Sequence, residues 1–377
     1  MIVLPITMHD SDFELIIFGP GYGEAILIHL GNDEWIVVDS CLNPVTKRPA
    51  VIEYLENQGI NPANIKLIAA THWHDDHIRG LHDIVSICPN AKFVISEALN
   101  QKEFIKLVSL YSNPLLIESE SGLSEFSNIF KFLHFKNKKP MRAIANRILY
   151  QKTSEGLNCT ISSLSPSDAA ILLSNLQMKD LIPSERSDKR RIPTIKPNNS
   201  SIVIWINVNN RCILLGSDLE DSTSDEIGWK AILLSDIISE HKAEVFKVPH
   251  HGSGTSDNDE IWNKLLIDQP VAILTPFKNG KIILPMYKDL IRINSKSQNS
   301  FLTSPNKIQR SKVHKRYLDI EMSIATKSRT AVNPYFGYIK LKTSMNGQNK
   351  WDIEMYGDAV KISDLIKGYA ISKKKKI

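Results

Sequence analysis

The chain has 377 residues, 42% of them apolar and 23% charged, with a formal net charge of +5. That is too long for one small domain and fits a soluble globular protein with one large domain carrying insertions, or with two domains. No window approaches the roughly 18 consecutive apolar residues of a membrane span. The four cysteines, Cys41, Cys88, Cys159 and Cys212, are scattered without a C-x-x-C pair, which argues against a disulfide framework and for reduced thiols.

The N-terminal MIVLPITMHDSDFEL has no basic leader region and turns acidic early, so no cleaved signal is expected and a cytoplasmic location is. DFELIIFGP, EAILIHL and EWIVVDS are short runs rich in Ile and Val, punctuated by Gly and by Gly-Asn-Asp. They predict an antiparallel meander. The three glycines of FGPGYGE lack a phosphate-loop pattern and read as a tight turn. RPAVIEYLENQG (48–59) has helical spacing and stops at Gly59. IKLIAATH (65–72) is a nearly continuous apolar run, as expected of a strand buried on both faces. IRGLHDIVSIC then predicts a helix and AKFVIS a strand.

Residues 97–197 are a divergent or inserted region. Helices are expected at 97–111, 122–135 and 168–182, and strands at NRILYQK and NCTISSLS. SERSDKRRIPTIKPNN, polar and Pro-containing, reads as a mobile loop. SSIVIWINVNNRCILLGSD (200–218) predicts a hairpin turning at Asn209-Asn210. A helix at 224–241, the strand EVFKVP, a helix at IWNKLLI and the strand VAILTPF follow. YFGYIKLKT and KWDIEMYG predict a late hairpin. The expected organisation is one hydrolase-like domain over 1–303 and a β-containing extension over 304–377 that ends in a basic tail.

Charge is uneven. Between Lys281 and Arg316 there are nine Lys or Arg against one acid, Asp289. The block is either a solvated face or a contact for a polyanion.

The chemistry concentrates in HWHDDH. His72, His74, Asp76 and His77 put four metal-capable side chains into six positions directly after a buried strand. His72 and His74, two apart in extended backbone, point the same way, whereas Asp76 and His77 follow a turn. Imidazoles with a carboxylate suit Zn²⁺, and also Fe or Mn. Asp218 ends another apolar strand and His250-His251 a third. Strand C-terminal ends are where sites assemble in such chains. Asp39, ending IVVDS, reads as a structural hydrogen-bonding residue close by, and Asp75 as a turn residue facing away.

HWHDDH carries in full the H-x-H-x-D-H signature of the metallo-β-lactamase-fold hydrolases, and the chain resembles that superfamily. The order of GYGEAILIHL, VVDS, HWHDDH, NNSSIVI, ILLGSD and VPHHGS is most similar, within it, to the hydrolase-like domain of bacterial competence DNA-uptake proteins and their soluble relatives. The resemblance covers roughly residues 12–303, the middle third in layout only. It implies an α/β fold, an αββα sandwich, with two divalent metal ions, Zn²⁺ or Mn²⁺, at one edge. His72 and His74 would bind the first ion, Asp76 and His77 the second, and Asp218 would bridge them. His250 would complete the second site and His251 would face the substrate as a catalytic proton donor, although the alignment hardly separates the two. Asp76 would double as the residue that orients the attacking hydroxide. Tyr22, Asn199, Lys247 and Ser253 are the expected substrate-binding residues. The family often adds a third histidine to the first ion. Here only His82 and His134 lie in the right interval, each better read as a surface or core residue, and Asn198 or Asn199 is the expected substitute.

The function this implies is a metallo-hydrolase, foremost a phosphodiesterase or nuclease acting on nucleic acid or a nucleotide. A hydrolase of a small ester, lactone, lactam or phosphoester on the same site, and a binding or scaffold protein with a degenerate metal site, are the alternatives. No membrane partner is expected, and oligomeric state is not legible.

Overall fold

The computed structural model describes residues 12–20, 22–111, 122–154, 157–182, 197–235, 241–305, 336–344 and 350–374. The first 143 residues supply β1 (Asp12–Phe18), β2 (Ala25–His29), β3 (Trp35–Val38), β4 (Ile65–Ala70), β5 (Lys92–Ser96) and β6 (Met141–Ala143). The next long stretch supplies β7 (Arg147–Ser154), β8 (Leu157–Ser163), β9 (Ile204–Val208), β10 (Arg211–Leu215), β11 (Ala243–Lys247) and β12 (Leu266–Leu274). A small hairpin of β13 (Phe277–Asn279) and β14 (Ile282–Leu284) precedes β15 (Ser300–Leu302). The last strands are β16 (Gly337–Ser344), β17 (Asp352–Gly357) and β18 (Val360–Lys361).

These strands make two eight-stranded sheets, ordered β17-β16-β1-β2-β3-β4-β5-β6 and β18-β15-β12-β11-β10-β9-β8-β7. Alternation along each strand decides what lies between them. Leu15, Ile17, Ile28, Ile36 and Leu67 point inward and meet Ile161, Ile206, Ile213, Val245 and Ile273 of the other sheet. The intervening residues Ile16, Phe18, Leu27, Val37 and Ile68 point outward beneath helices. Both faces are therefore apolar, which is why these strands appear in the sequence as unbroken hydrophobic runs.

The outer face of the first sheet is covered by α1 (Ala50–Gln58), α3 (Leu81–Ile87), α4 (Lys102–Tyr111) and α5 (Gly122–Phe135), with Met178 of α6 (Asp168–Leu181) packed among them. The four-residue α2 (Asp75–Ile78) carries part of the histidine motif. The second sheet is covered by α7 (Gly228–Leu233), α8 (Tyr287–Lys296) and α9 (Ile362–Lys374). The result is the expected layering of helix, sheet, sheet and helix.

Three expectations change. The helix at IWNKLLI shrinks to a single π turn over Ile261–Leu265. Leu266 instead opens β12 and registers against Ala243 in a parallel ladder, so sheet pairing overrides the helical spacing. The helix expected at 224–241 is limited to α7, and 236–240 lie outside the described residues. The divergent middle and the C-terminal part are not appendages. β6, β7 and β8 complete one edge of each sheet, β16 pairs with β1 along its whole length, and β18 pairs with β15. The loop residues 183–196, and 306–316 of the basic block, lie outside the described residues.

Candidate metal centre

β4 runs parallel to β3 and β5, and β10 runs parallel to β11. Their C-terminal ends open onto one edge of the sandwich, where the loops carry the candidate ligands. After β4, Thr71–His74 stay extended before α2 begins. After β10, Ser217 takes a left-handed conformation (φ 47°) ahead of Asp218, and after β11 both His250 (φ 48°) and His251 (φ 53°) do so. These sharp reversals throw side chains back over the strand ends.

Two donor sets result, His72, His74 and Asp218 in one, and Glu24, His77, Asp218 and His251 in the other. Asp218 belongs to both. Its Oδ2 lies 3.9 Å from His72 Nε2 and 3.6 Å from His251 Nε2, and its Oδ1 lies 3.3 Å from His77 Nε2. Asp76 Oδ2 is 3.1 Å from His251 Nε2 and 3.6 Å from His77 Nε2. Two donors on one tetrahedral ion, each about 2.1 Å from it, sit about 3.4 Å apart. The Nε2 atoms of His72 and His77 and Oδ1 of Asp218 are buried without a hydrogen-bond partner. Orphaned buried nitrogen and oxygen donors at this spacing fit divalent cations of the Zn²⁺ or Mn²⁺ kind.

The far sides of the imidazoles are tethered. Asp39, itself at φ 60°, accepts from the Thr71 N–H and the Thr71 hydroxyl, each at 2.7 Å, and its Oδ2 lies 2.8 Å from His77 Nδ1. The carboxylate places the proton on Nδ1 and leaves Nε2 as the donor. His251 Nδ1 sits 3.2 Å from the Thr275 carbonyl, which turns its Nε2 toward Asp76 and Asp218. Glu24 is 3.8 Å from Nδ1 of both His77 and His251. It thus lies behind the two rings, on the side away from Asp218, and it accepts from the Thr275 hydroxyl at 2.6 Å and pairs with Lys247 at 2.5 Å. We therefore read Glu24 as an outer support of the second donor set and not as a ligand.

Burial lowers the His72 and His74 imidazoles below their usual range. Burial alone would lower His77 too, but Asp218, Glu24, Asp76 and Asp39 around it hold it well above that range. Burial would likewise raise Asp76 and Asp218. Facing His77 and His251, both carboxyls are instead held below the ordinary carboxylate range. The cluster is a dense network of imidazoles and carboxylates in mutual contact.

The geometry puts His251, not His250, into the second donor set. His251 is 1% exposed. His250 points to the rim, 3.2 Å from the Thr255 hydroxyl, 3.5 Å from Glu220 and 3.5 Å from the Asn198 amide. Consecutive left-handed residues send the two rings apart. Lys247 is fully buried against Glu24, so it is no surface for substrate. Ser253 caps the 3₁₀ turn Gly254–Ser256 by accepting from the Thr255 N–H. Asn198, not Asn199, reaches the rim histidine and donates to Glu220 at 2.8 Å. Tyr22 does flank the site: its ring is 5.6 Å from Phe277, which stacks on His251 at 5.1 Å, and Arg79 lies over it. Burial and the nearby Asp76 and Asp75 raise its phenol further. Asp75 faces away, accepting from the Gly122 N–H at 2.6 Å. His82 contacts Ser86 and Phe132, and His134 is exposed on α5. Among the described residues no third histidine joins His72 and His74.

The basic block also reads differently in space. Arg292 pairs with Asp257 and Asp289, and Lys296 with Asp257 and Asp259. Acids from the preceding loop neutralise cations that look unopposed along the chain. Glu24 and Thr275 were not anticipated. The only available signal was a glutamate closing a glycine-rich turn just before a buried strand.

The family model of the Metallo-beta-lactamase superfamily matches residues 18–152. The ComE operon protein 3 of Bacillus subtilis (strain 168) is 33% identical over 132 residues, which are 35% of this chain and 16% of that protein. The match thus spans far less than two thirds of that relative. Similar solved structures include a metallo-beta-lactamase with a HARLDQ motif from Cronobacter sakazakii, at 12% identity over 65% of this chain and 79% of that one, with TM-score 0.35. A putative metallo-beta-lactamase from Thermotoga maritima is 15% identical over 55% of this chain and 79% of that one, with TM-score 0.30.

Proposed function

We propose, from the premise that this chain carries a metallo-β-lactamase-superfamily domain, that it is a metal-dependent phosphodiesterase acting on nucleic acid or a nucleotide. The observation that carries the reading is the sharing of Asp218 between two donor sets, each with buried histidines. A carboxylate common to two sets can hold two cations side by side, the arrangement that phosphatases and nucleases use on phosphate esters. The resemblance of the motif order to competence DNA-uptake domains points to the same substrate class.

His72, His74 and Asp218 would hold one cation, and Asp76, His77, His251 and Asp218 the other. Bound there, divalent cations supply Lewis acidity toward a phosphoryl oxygen and a water-derived nucleophile near neutral pH. The chain's own groups do the rest. Asp39 and the Thr275 carbonyl fix which nitrogen His77 and His251 present. Tyr22, Phe277 and Arg79 wall one side of the opening. His250, half-buried at the rim beside Glu220, is the proton donor to the leaving oxygen, the role first expected of His251.

The test is hydrolysis of bis(p-nitrophenyl) phosphate, oligonucleotides and cyclic nucleotides after reconstitution with Mn²⁺ or Zn²⁺. His74→Ala and Asp218→Ala should each lower the rate by more than the roughly 10–100-fold typical of an outer-support change. Elemental analysis should find less bound metal in both. Turnover of lactone or thioester probes, with none of any phosphodiester, would overturn the reading.

A further inference from the structure

The strongest unassigned charge lies away from the metal centre. Between Glu125 and Glu155 the chain has seven Lys or Arg, namely Lys131, Lys136, Lys138, Lys139, Arg142, Arg147 and Lys152, and no Asp or Glu. Folding gathers most of them at the C-terminal end of α5 and the neighbouring edge of the first sheet. There a groove of about 560 Å³ has five cations in its wall, Lys92, Lys138, Lys139, Arg142 and Arg147, and no acid among the described residues that line it. Leu133 and Met141 contribute to its apolar floor.

Little of this charge is neutralised. Arg142 meets Glu97 at 3.4 Å and Lys152 meets Glu34 at 3.0 Å. Among the described residues Lys138 donates only to the Pro89 carbonyl and Arg147 only to that of Arg142. Lys92, Lys136, Lys138, Lys139 and Arg147 have no ion-pair partner among the described residues. This contrasts with Arg292 and Lys296, whose charges are already taken. Between the groove residues Leu133 and Lys138 in the chain stands Phe135, 78% exposed, with the Lys136 ammonium 5.5 Å from its ring centre. Bases stack on an exposed aromatic ring whatever their sequence, so Phe135 offers a single strand a contact that the cations do not.

We infer that this groove and Phe135 form the track for a single-stranded nucleic acid whose scissile end lies at the metal centre. The cations contact the phosphates and Phe135 stacks on a base. The inference rests on the nucleic-acid reading of the substrate, but binding can be read without turnover. α5 connects the two places. Its first residue, Gly122, donates to Asp75 in the histidine motif, and its last, Phe135, is 13 residues on, hence about 20 Å away. At about 3.4 Å per nucleotide, the rise of a stacked, duplex-like strand, that interval holds about six nucleotides. Strands shorter than this should gain nothing from the groove.

The experiment measures anisotropy of a fluorescein-labelled phosphorothioate oligothymidylate of about 20 nucleotides, and of one of about 4, against salt, using the metal-loaded full chain. The triple variant Lys136→Gln, Lys138→Gln, Lys139→Gln should raise Kd for the long strand at least about tenfold at low salt. It should also flatten the log–log salt slope by about 2, at roughly 0.7 per lost contact. Phe135→Ser should raise Kd at least about fivefold for the long strand and leave the short one unchanged. Hydrolysis of bis(p-nitrophenyl) phosphate should be untouched in all variants. Unchanged affinity in the triple variant overturns the inference. So does loss of binding to phosphatidylserine vesicles with oligonucleotide binding intact, which would assign the patch to a membrane surface. Equal binding of duplex and single strand, with no effect of Phe135→Ser, overturns the stacking assignment. Absence of hydrolysis in every variant, with the binding differences as stated, sinks the phosphodiesterase reading alone.

Discussion

Asp39 never reaches the candidate cations, yet it decides what His77 offers them. An amide in its place can no longer anchor both Thr71 and the His77 ring as a carboxylate does. Asp39→Asn should keep the fold, lower metal affinity roughly 10–100-fold, and be read by titration with Zn²⁺ against a competing chelator. Protons compete for the same nitrogens. His77 is raised above the usual imidazole value of about 6.5. In the ion-free protein it therefore contributes stability that is present below about pH 6.5 and lost as pH rises through its higher folded value. His72 and His74 are lowered and act oppositely, their contribution lost as pH falls below about 6.5. Cation binding must displace the His77 proton, so loading strengthens with pH. Calorimetric titrations near pH 7 in buffers of different ionisation enthalpy should register proton release; none would contradict this account. At this scale strand-end position and residue type sufficed to single out His72, His74, His77 and Asp218, which the structure gathers into two donor sets, and Asp39, which sits behind His77. They could not order His250 and His251, since two adjacent left-handed residues decide which ring turns inward. Nor could they expose Glu24, whose partners Thr275 and Lys247 are more than two hundred residues away in the chain.

At the scale of elements, periodicity placed α1 and α5 almost to the residue, because each has an apolar stripe against the first sheet, and it placed α6 as closely although only Ala170, Ser174 and Met178 of that helix are buried. It failed where pairing outweighed spacing, as at Leu266, and at Arg292 and Lys296, to which another loop brings Asp257 and Asp259. The loop after β11 has the least freedom. Gly252 sits at φ +79°, and a Cβ there would lie 2.6 Å from Leu274 and 3.1 Å from Ile293. Gly252→Ala should cost about 1–3 kcal/mol in urea unfolding and weaken metal binding through displaced His251. Unchanged affinity would show that the loop absorbs the strain without moving the ring.

The whole molecule closes on its own ends. β16 lies between β1 and β17, and β18 caps the other sheet beside β15. A chain ended after residue 304 would strip β1 of its partner along Asp12–Phe18 and bare an apolar edge of the kind that aggregates. Such a truncation should be recovered mainly as oligomers or inclusion bodies, checked by size exclusion of the soluble fraction. A monodisperse, metal-binding product would show that the last strands are dispensable.

That closure also sets a clock on biosynthesis. Asp12 registers with Ser344, so β1 leaves the ribosome 332 residues ahead of the end of the strand it pairs with. At about 5–20 residues per second, the wait is roughly 17–66 s. Throughout it, the nascent sheet has an open hydrophobic border, and holdase chaperones that recognise such borders should be found on stalled ribosomes carrying this chain.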